Sequence, residues 1–220
     1  MARGYFVTGT DTGIGKTTVS CALLHAFAVQ GHKVIGMKPI AAGVENGKWL
    51  DVEQLLAASN VNLTRQQINP YAFEPPISPH LAAQQAGREI DLTVIQQAYQ
   101  TLSTQVDRVV VEGVGGFLVP LNQQQTGADL AQALNLPVIL VVGMRLGCLN
   151  HALLTAQAIR IAGLPLAGWV ANCVDPQMRV LEENIATLEQ RLACPLLGVL
   201  PFDSEMDLQK SARLLDVVTL

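Results

Sequence analysis

The chain has no run of lysines or arginines and few charges of either sign, since charged residues make up 15% of its 220 residues. A net charge of −4 at pH 7 without a basic cluster excludes the surface expected of a protein that binds nucleic acid or anionic membranes. Long hydrophobic runs are also missing, because the longest, at residues 137–142, is far shorter than the roughly 20 residues that span a bilayer. We therefore expect neither nucleic acid nor a membrane among its partners.

Cysteine is scarce, and its four copies follow no pattern typical of metal sites or disulfides. They stand at Cys21, Cys148, Cys173 and Cys194. Since no C-x-x-C spacing and no H-x-x-x-H pair occurs, neither a zinc site nor a disulfide framework is indicated. The first apolar strand begins at Tyr5, which leaves no room for a signal peptide before it. The sequence predicts a cytoplasmic protein with free thiols.

What the chain does contain is a regular alternation of two patterns. Apolar runs of β character occur at residues 5–8, 34–37, 109–111, 138–142, 167–171 and 196–200, and segments of helical period separate them. This alternation is typical of a doubly wound, mainly parallel α/β sheet with helices on both faces. Because no linker divides the chain, we predict one domain over residues 1–220, with ligands bound beyond the carboxyl ends of the strands.

A glycine-bearing turn follows the first strand and leads directly into a helical pattern. Residues 9–17 spell GTDTGIGKT, a G-x-x-x-x-x-G-K-T motif that is one residue longer than the usual phosphate loop. In such a turn the backbone amides and the start of the helix converge on phosphate, Lys16 supplies a cation, and the Thr17 hydroxyl can reach Mg²⁺. The turn predicts a nucleoside triphosphate site.

Polar residues close three other predicted strands. Lys38 follows the second strand, where a lysine taken alone is more often a solvated charge. Glu112 ends the third strand ahead of the glycine-rich residues 113–116, a position from which an acid can hold a metal ion opposite Thr17. Asn172 follows residues 167–171, where an amide can bind the edge of a nucleobase.

Structural interpretations compete at three places. Asp51 with Gln54 three residues later fits a capping box, which the residues alone favour over a binding role. Residues 41–43 predict a small-residue loop that a substrate could approach closely. Residues 147–151 predict a helix start that either binds a carboxylate or phosphate or is simply structural.

Taken in order, these segments resemble those of the dethiobiotin synthetase family, over about residues 3–203. The motifs that carry the resemblance are YFVTGTDT and GKT within residues 5–17, KPI at 38–40, SPH at 78–80, VEGVGG at 111–116, LGCLNH at 146–151 and AGWVAN at 167–172. The resemblance implies a P-loop NTPase fold and an ATP-dependent cyclo-ligase of biotin biosynthesis. An amine of 7,8-diaminopelargonate would take up CO₂ to form a carbamate, ATP would phosphorylate it, and the second amine would close the ring to give dethiobiotin, ADP and phosphate.

The same resemblance implies roles for individual residues. Lys38, Lys16 and Thr12 would be catalytic, with Lys38 neutralising the carbamate and Lys16 holding the β and γ phosphates. Thr17, Asp51 and Glu112 would bind Mg²⁺, which replaces the cap interpretation of Asp51. The implied nucleotide-binding residues are Gly13, Ile14, Gly15, Lys16, Thr17, Thr18, Asp51, Glu112, Gly113, Val114, Gly115, Asn172, Cys173, Pro201, Phe202 and Asp203. The implied substrate-binding residues are Ala42, Gly147, Cys148, Leu149 and Asn150.

The resemblance further implies a homodimer with a shared active site, in which the neighbouring subunit contributes residues 147–150. Asn172 would contact adenine, and residues 201–203 would line the base pocket.

The chain departs from the family pattern at a few positions. Gly13 stands where many relatives carry a polar or acidic residue, and Ala42 where Ser or Thr is usual near the substrate. Cys173 replaces a common acidic or polar residue, and Asp175 makes this tetrad N-x-x-D, as in guanine-binding GTPases. From that tetrad we expect loose discrimination between bases.

Two other interpretations stay open at this point. Nucleotide switch proteins of the partitioning or septum-positioning ATPase type place a signature lysine five residues before the loop lysine, where this chain has Asp11. Relatives of the cobyrinic-acid and phosphotransacetylase types normally add a further domain, for which 220 residues leave no space.

Overall fold

The structure, a computed structural model, describes residues 2–203, 207–218 and 220. Its strands are β1 Arg3–Gly9, β2 Val34–Met37, β3 Ile40–Ala42, β4 Tyr71–Phe73, β5 Arg108–Glu112, β6 Val138–Met144, β7 Leu166–Cys173 and β8 Leu196–Leu200. Its helices are α1 Lys16–Val29, α2 Leu50–Ala58, α3 Arg65–Ile68, α4 Pro79–Gln85, α5 Leu92–Ser103, α6 Gly127–Leu134, α7 Cys148–Ile161, α8 Leu181–Leu192 and α9 Leu208–Arg213.

A six-stranded sheet in the order β2-β5-β1-β6-β7-β8 forms the centre of the molecule. All of its paired neighbours run parallel. Parallel strands that are covered on both faces need apolar residues at successive positions, which explains the continuous apolar runs in the sequence. The six predicted strands and the α/β fold class are confirmed.

Side chains of β1 show how the two faces are filled. Phe6 packs into one cluster with Val109 and Val111, whereas Tyr5 and Val7 on the other face join the cluster that contains buried residues of α1. Successive strand residues point to opposite faces, so one strand supplies both cores. A third cluster lies between β6, β7 and the helices α7 and α8.

The predicted loop at residues 41–43 is wrong for its first two residues. Ile40–Ala42 forms β3, which pairs in parallel with β4 in a separate two-stranded sheet. A strand of only three residues carries no periodicity from which a sequence pattern could identify it. This pair fixes the course of the chain immediately after Lys38.

The register of the sheet decides which residues lie next to each other at its carboxyl edge. Met37 pairs with Val111, so the next residues along the chain, Lys38 and Glu112, lie side by side at the carboxyl edge. Glu112 also pairs with Val7 of β1, the strand that leads into the glycine-rich turn. In the sheet, β2 and β5 lie on one side of β1, and β6, β7 and β8 lie on its other side. A ligand-binding crevice is expected at β1, where the strand order reverses. In the part of the chain that the structure describes, no helix has the length and apolar character to cross a bilayer.

Candidate active site

The glycine-bearing turn lies between β1 and α1 and ends at Gly15, the N-cap of α1. Gly15 has φ of +82°, and a methyl group added to it would lie 2.1 Å from Nδ2 of Asn172. Both the left-handed backbone and the close contact therefore require glycine. Lys16, the first residue of α1, is buried and donates from Nζ to the carbonyl oxygen of Asp11 at 2.9 Å. The ammonium group is thereby held over the turn.

The second predicted lysine lies at the same edge, in contact with both predicted acidic residues. Lys38 Nζ is 2.6 Å from Oε1 of Glu112 and 2.8 Å from Oδ2 of Asp51. The Lys38 and Glu112 side chains are 5% and 1% exposed, so they form a buried ion pair. The Asp51 side chain is 28% exposed and is therefore partly accessible to solvent. The Thr17 hydroxyl donates to the same Glu112 Oε1 at 2.9 Å, which joins the glycine-bearing turn to the second lysine.

Asp51 does not cap α2, so the structural interpretation of this residue is wrong. The helix begins at Leu50 with Trp49 as its N-cap, which places Asp51 in the first turn. Its Oδ2 contacts Lys38, and its Oδ1 accepts a hydrogen bond from the main-chain N–H of Val52 at 2.9 Å. A carboxylate in the first turn of a helix is also stabilised by the helix dipole.

The two lysines have opposite electrostatic surroundings. Burial, followed by repulsion from Lys38, lowers the pKa of Lys16 to about 8. For Lys38 burial also acts to lower the pKa, but the carboxylates of Glu112 and Asp51 outweigh it and raise the pKa above its ordinary value. Lys38 therefore holds its proton more tightly than an ordinary lysine, whereas Lys16 loses its proton more easily than an ordinary lysine.

The residues predicted to bind Mg²⁺ fit that ion in chemistry and number. Thr17, Asp51 and Glu112 offer hard oxygen donors, and Oε2 of Glu112 is buried with no hydrogen-bond partner among the described residues. Within those residues no group of three or more His, Cys, Asp or Glu side chains could hold a metal by itself. A site of this composition suits Mg²⁺, which is commonly bound by one or two carboxylates together with phosphates and water.

The predicted base-pocket residues, Asn172 and residues 201–203, all line one cavity of about 250 Å³. Its walls are Gly13, Gly15, Thr18, Asn172, Cys173, Val174, Leu200, Pro201, Phe202, Asp203 and Ser211. Asn172 is buried and donates from Nδ2 to the carbonyl oxygen of Ile14 at 2.8 Å. Ile14 reaches this region through its main chain, because its side chain is in the core.

Asp175 is not part of that cavity lining. Its Oδ1 accepts a hydrogen bond from the main-chain N–H of Gln177 at 2.9 Å, as in an ordinary turn. The expectation of loose base discrimination, which depended on the N-x-x-D tetrad, therefore has no support from the position of Asp175.

A second cavity, of about 290 Å³, lies beside Thr17. It is lined by Thr17, Ala42, Gly43, Glu45, Leu50, Asp51 and Gln54. The predicted substrate contact Ala42 and two predicted Mg²⁺ ligands thus share one cavity. Asp51 also contacts Lys38, which is not itself among the lining residues, so Asp51 stands between the second lysine and this cavity.

The remaining predicted residues lie nearby or apart. Thr12 lies close to the glycine-rich residues after β5, because a methyl group at Gly115 would be 3.8 Å from its Oγ1. Gly113 accepts a 3.3 Å hydrogen bond from Lys38 through its carbonyl, and Val114 packs against the core.

Residues 147–150 form the start of α7 and line neither of the two cavities described above. Gly147 is the N-cap with φ of +94°, Cys148 is buried, and the side chain of the preceding Leu146 is 98% exposed. The structure thus does not bring this predicted substrate contact together with Ala42 within one chain.

Sequence reasoning missed two residues of the site. Asn69 is buried and donates from Nδ2 to the main-chain carbonyls of Lys38 at 2.7 Å and Tyr71 at 3.0 Å, which fixes the backbone that carries Lys38. Arg145 forms a 2.5 Å ion pair with Asp11 of the glycine-bearing turn. The Asn-Pro dipeptide at Asn69 is a turn signal, but it gives no indication of contact with Lys38.

The parallel sheet, the glycine-bearing turn with its buried lysine at a helix start, and the facing carboxylate define a P-loop nucleoside triphosphatase. The sequence profile of the AAA domain family matches residues 3–210. The chain is 62% identical to the ATP-dependent dethiobiotin synthetase of Nitrosospira multiformis over 220 residues, which cover 100% of this chain and 97% of that protein. The corresponding protein of Aromatoleum aromaticum is 54% identical over 203 residues, which cover 90% of each chain. This chain belongs to the ATP-dependent dethiobiotin synthetase family.

Solved structures with the same fold are much more distant in sequence. The septum site-determining protein MinD of Pyrococcus horikoshii, in complex with Mg-ADP, has a TM-score of 0.61 at 19% identity and covers 96% of this chain and 86% of its own. Chloroplast FtsY of Physcomitrella patens has a TM-score of 0.52 at 18% identity, with coverage of 96% and 65%. At this identity the likeness shows the P-loop fold alone.

Proposed function

We propose that this protein closes the ureido ring of dethiobiotin from 7,8-diaminopelargonate and CO₂, with conversion of ATP to ADP and phosphate. Membership of the dethiobiotin synthetase family supports the ATP-dependent cyclo-ligase activity. The single observation that carries the proposal is the convergence of Lys38, Glu112 and Thr17, which links the phosphate turn to a second buried ammonium group.

The reaction requires two anions, a carbamate and the γ-phosphate of ATP, to come into contact. Repulsion from Lys38 is one cause of the lowered pKa of Lys16, which supports the placement of both ammonium groups at one site. We assign Lys16 and the turn amides to the β and γ phosphates, and Lys38 to the carbamate and the charge that develops at the transferring phosphoryl group. Thr12 belongs to the turn and its Oγ1 faces Gly115, and we assign it a further hydrogen bond to that group.

Thr17, Asp51 and Glu112 are the residues that would hold Mg²⁺. An ion bound there would neutralise part of the negative charge of the phosphates. The chain's own contribution is to keep the two carboxylates and the hydroxyl at one edge of the sheet, through the register of β2, β5 and β1. Asn172 and residues 201–203 would bound the adenine ring in the cavity that they line.

We further propose a homodimer in which the start of α7 from one subunit completes the site of the other. Two observations support it: Leu146 is 98% exposed beside that helix start, and residues 147–150 line neither cavity of their own subunit. The free N–H groups at the start of this 14-residue helix suit the carboxylate of the substrate. Because the reaction consumes ATP, we also propose a cytoplasmic location.

The switch-protein alternative has less support. Asp11 stands where those proteins have their signature lysine, and it pairs with Arg145. The similarity to MinD, at 19% sequence identity, is limited to the fold, whereas the synthetase relatives are more than 50% identical in sequence.

The proposal is tested by ATP turnover with and without diaminopelargonate plus bicarbonate. We expect turnover to depend on that pair, whereas a switch protein would be indifferent to it. Lys38→Ala should lower turnover by at least about a hundredfold, in line with the loss of one electrostatic donor, and leave nucleotide binding largely intact. The matched control is Lys33→Ala, an exposed lysine at the opposite end of β2, which should keep wild-type turnover. Equal activity of the two variants would refute the role of Lys38.

The shared site has its own test, in which two inactive variants are mixed. Lys38→Ala disables the lysine site of its own subunit, and Gly147→Pro disables the helix start that the subunit offers to its neighbour. Random reassociation should restore about a quarter of wild-type activity, because half of the dimers are mixed and each contains one intact site. If both halves of the site came from one chain, the mixture would stay inactive.

A further inference from the structure

The ammonium group of Lys38 is surrounded by oxygen atoms in the manner of a bound cation. Its Nζ lies 2.6 Å from Glu112 Oε1, 2.8 Å from Asp51 Oδ2 and 3.3 Å from the carbonyl oxygen of Gly113. The side chain is only 5% exposed. A buried charge is stable only with partners of this kind, so the two carboxylates hold Lys38 firmly in its present position.

Those carboxylates are the same groups that suit a divalent cation. Glu112 Oε1 already accepts hydrogen bonds from both Lys38 and Thr17, and the Thr17 hydroxyl is itself a candidate ligand. A divalent ion that took up the Asp51 and Glu112 oxygens would stand directly beside the ammonium group. Two cations so close in a buried place repel strongly, because the low local dielectric screens them little.

The function assigned above places Lys38 on the carbamate, and not on the acidic residues. In its present position the ammonium group has three of its contacts filled by the protein's own oxygens, which leaves little capacity for a substrate anion. A change of partners is therefore needed before Lys38 can act. Asp51 lines the second cavity together with Ala42 and Thr17, and a Lys38 side chain released from Asp51 would enter that space.

We propose that Lys38 is an internal cation that occupies the Asp51–Glu112 pair until a divalent ion displaces it, and that the displacement delivers its ammonium group to the substrate cavity. This inference rests on the proposed function, since it concerns how the site of that reaction is assembled. Under this proposal, binding of the divalent ion and release of Lys38 from its two carboxylates are one event. A chain without the ion would hold its second lysine on its own acidic residues.

The rival arrangement is coexistence, with Lys38 on Glu112 Oε1 and the ion on Oε2, which is buried and has no partner in the described part of the chain. Binding of Mn²⁺ without nucleotide, measured by calorimetry, separates the two. Displacement predicts that Lys38→Met binds Mn²⁺ at least about tenfold more tightly than the wild type, because the ion no longer competes. Asp51→Asn in the Lys38→Met background should remove that gain.

The matched control is Lys16→Met. Lys16 is the other buried lysine of the site, it interacts electrostatically with Glu112 and Asp51, and its Nζ is bonded to Asp11 and not to the carboxylates. Its removal should tighten Mn²⁺ binding by less than about threefold, through charge alone. Equal gains in the two variants, or no Mn²⁺ binding by any variant, would count against displacement.

A measurement on the wild type covers the case in which Lys38→Met does not fold. The chain has five lysines, so the NMR spectrum of isotope-labelled lysine side chains is simple, and the Lys38 signal is the one lost in Lys38→Arg. Mg²⁺ with a non-hydrolysable ATP analogue should shift that signal, and the analogue with a chelator should not. A Lys38 signal that ignores Mg²⁺ overturns the inference, whereas the proposed function fails only if wild-type turnover is independent of diaminopelargonate.

Discussion

The side-chain amide of Asn172 donates a hydrogen bond of 2.8 Å to the main-chain carbonyl of Ile14, 158 residues earlier in the chain. The bond joins the carboxyl end of β7 to the glycine-bearing turn, directly beside Gly15. Asn172 thus has a structural task in shaping the phosphate turn, besides lining the pocket assigned to the base. One N–H of Nδ2 is used by Ile14, which leaves the second N–H and the carbonyl oxygen of the amide as the groups to meet a ligand.

The first prediction concerns this bond. Asn172→Leu keeps a side chain of similar size but leaves the Ile14 carbonyl without its donor, a loss of about 1–3 kcal/mol. We expect the affinity for a non-hydrolysable ATP analogue to fall by about tenfold or more, measured by calorimetry. The control is Asn184→Ala, which removes an exposed hydrogen bond from a side chain of α8 to the main-chain carbonyl of Val180 and should leave the nucleotide affinity unchanged. An unaltered affinity in Asn172→Leu would show that the bond does not shape the turn.

The second prediction concerns the choice of base. Because Asp175 is bonded to Gln177 outside the pocket, Asp175→Asn should leave the ratio of GTP to ATP turnover within about twofold of the wild-type ratio. A guanine-binding aspartate would show the opposite behaviour, with GTP turnover falling selectively. The ratio is obtained from parallel phosphate-release assays with the two nucleotides.

The third prediction is a pH dependence set by Lys16, whose pKa is lowered to about 8. Phosphate binds the protonated form, so affinity for ADP should be flat below this pH and fall as pH rises above it, approaching tenfold per unit. The pH dependence of folding stability should run in the opposite direction. Between a pH of about 8 and the ordinary pKa of 10.5, the unfolded chain holds the Lys16 proton more tightly than the folded chain does. The contribution of Lys16 to the free energy of unfolding therefore increases with pH in this range. Lys16→Met should remove the break in the binding curve, and a break that persists in this variant would assign it to another group.

The fourth prediction concerns Asn69, which fixes the backbone of Lys38. Asn69→Ala removes two buried hydrogen bonds and should lower the unfolding free energy in urea by about 1–3 kcal/mol. Because it acts through Lys38, we expect kcat to fall while the affinity for nucleotide stays unchanged. Asn60→Ala is the control, since Asn60 also makes two main-chain hydrogen bonds, donating to His32 and accepting from Val34 at the amino end of β2. If both variants lost stability and neither lost kcat, Asn69 would be structural only.

Features that depend only on neighbouring residues in the chain could be predicted from the sequence. The six strands of the main sheet were found because each is a short apolar run between helical segments, and the phosphate turn because its glycines and Lys16 are adjacent in the chain. The sequence did not reveal the two-stranded sheet of β3 and β4, since its strands have three residues each and are separated by residues 43–70, which show no periodicity that links the two strands.

The residues alone left Asp51 as a helix cap, because a capping box and a first-turn acid look the same in sequence. Only the fold distinguishes them, by placing Lys38 2.8 Å from the carboxylate. Asn69 and Arg145 were missed for a related reason. Their partners, Lys38 and Asp11, are distant in the chain, and no local signal encodes such a contact.

The sequence by itself determined the alternation of strands and helices, the phosphate turn and the family, because these depend on local order and on matching residues along the chain. The tertiary structure alone decided that Lys38 is held between Asp51 and Glu112 with Thr17 on the same carboxylate. That arrangement follows from strand register, which brings together residues up to 95 positions apart and buries their charges where only direct partners can stabilise them.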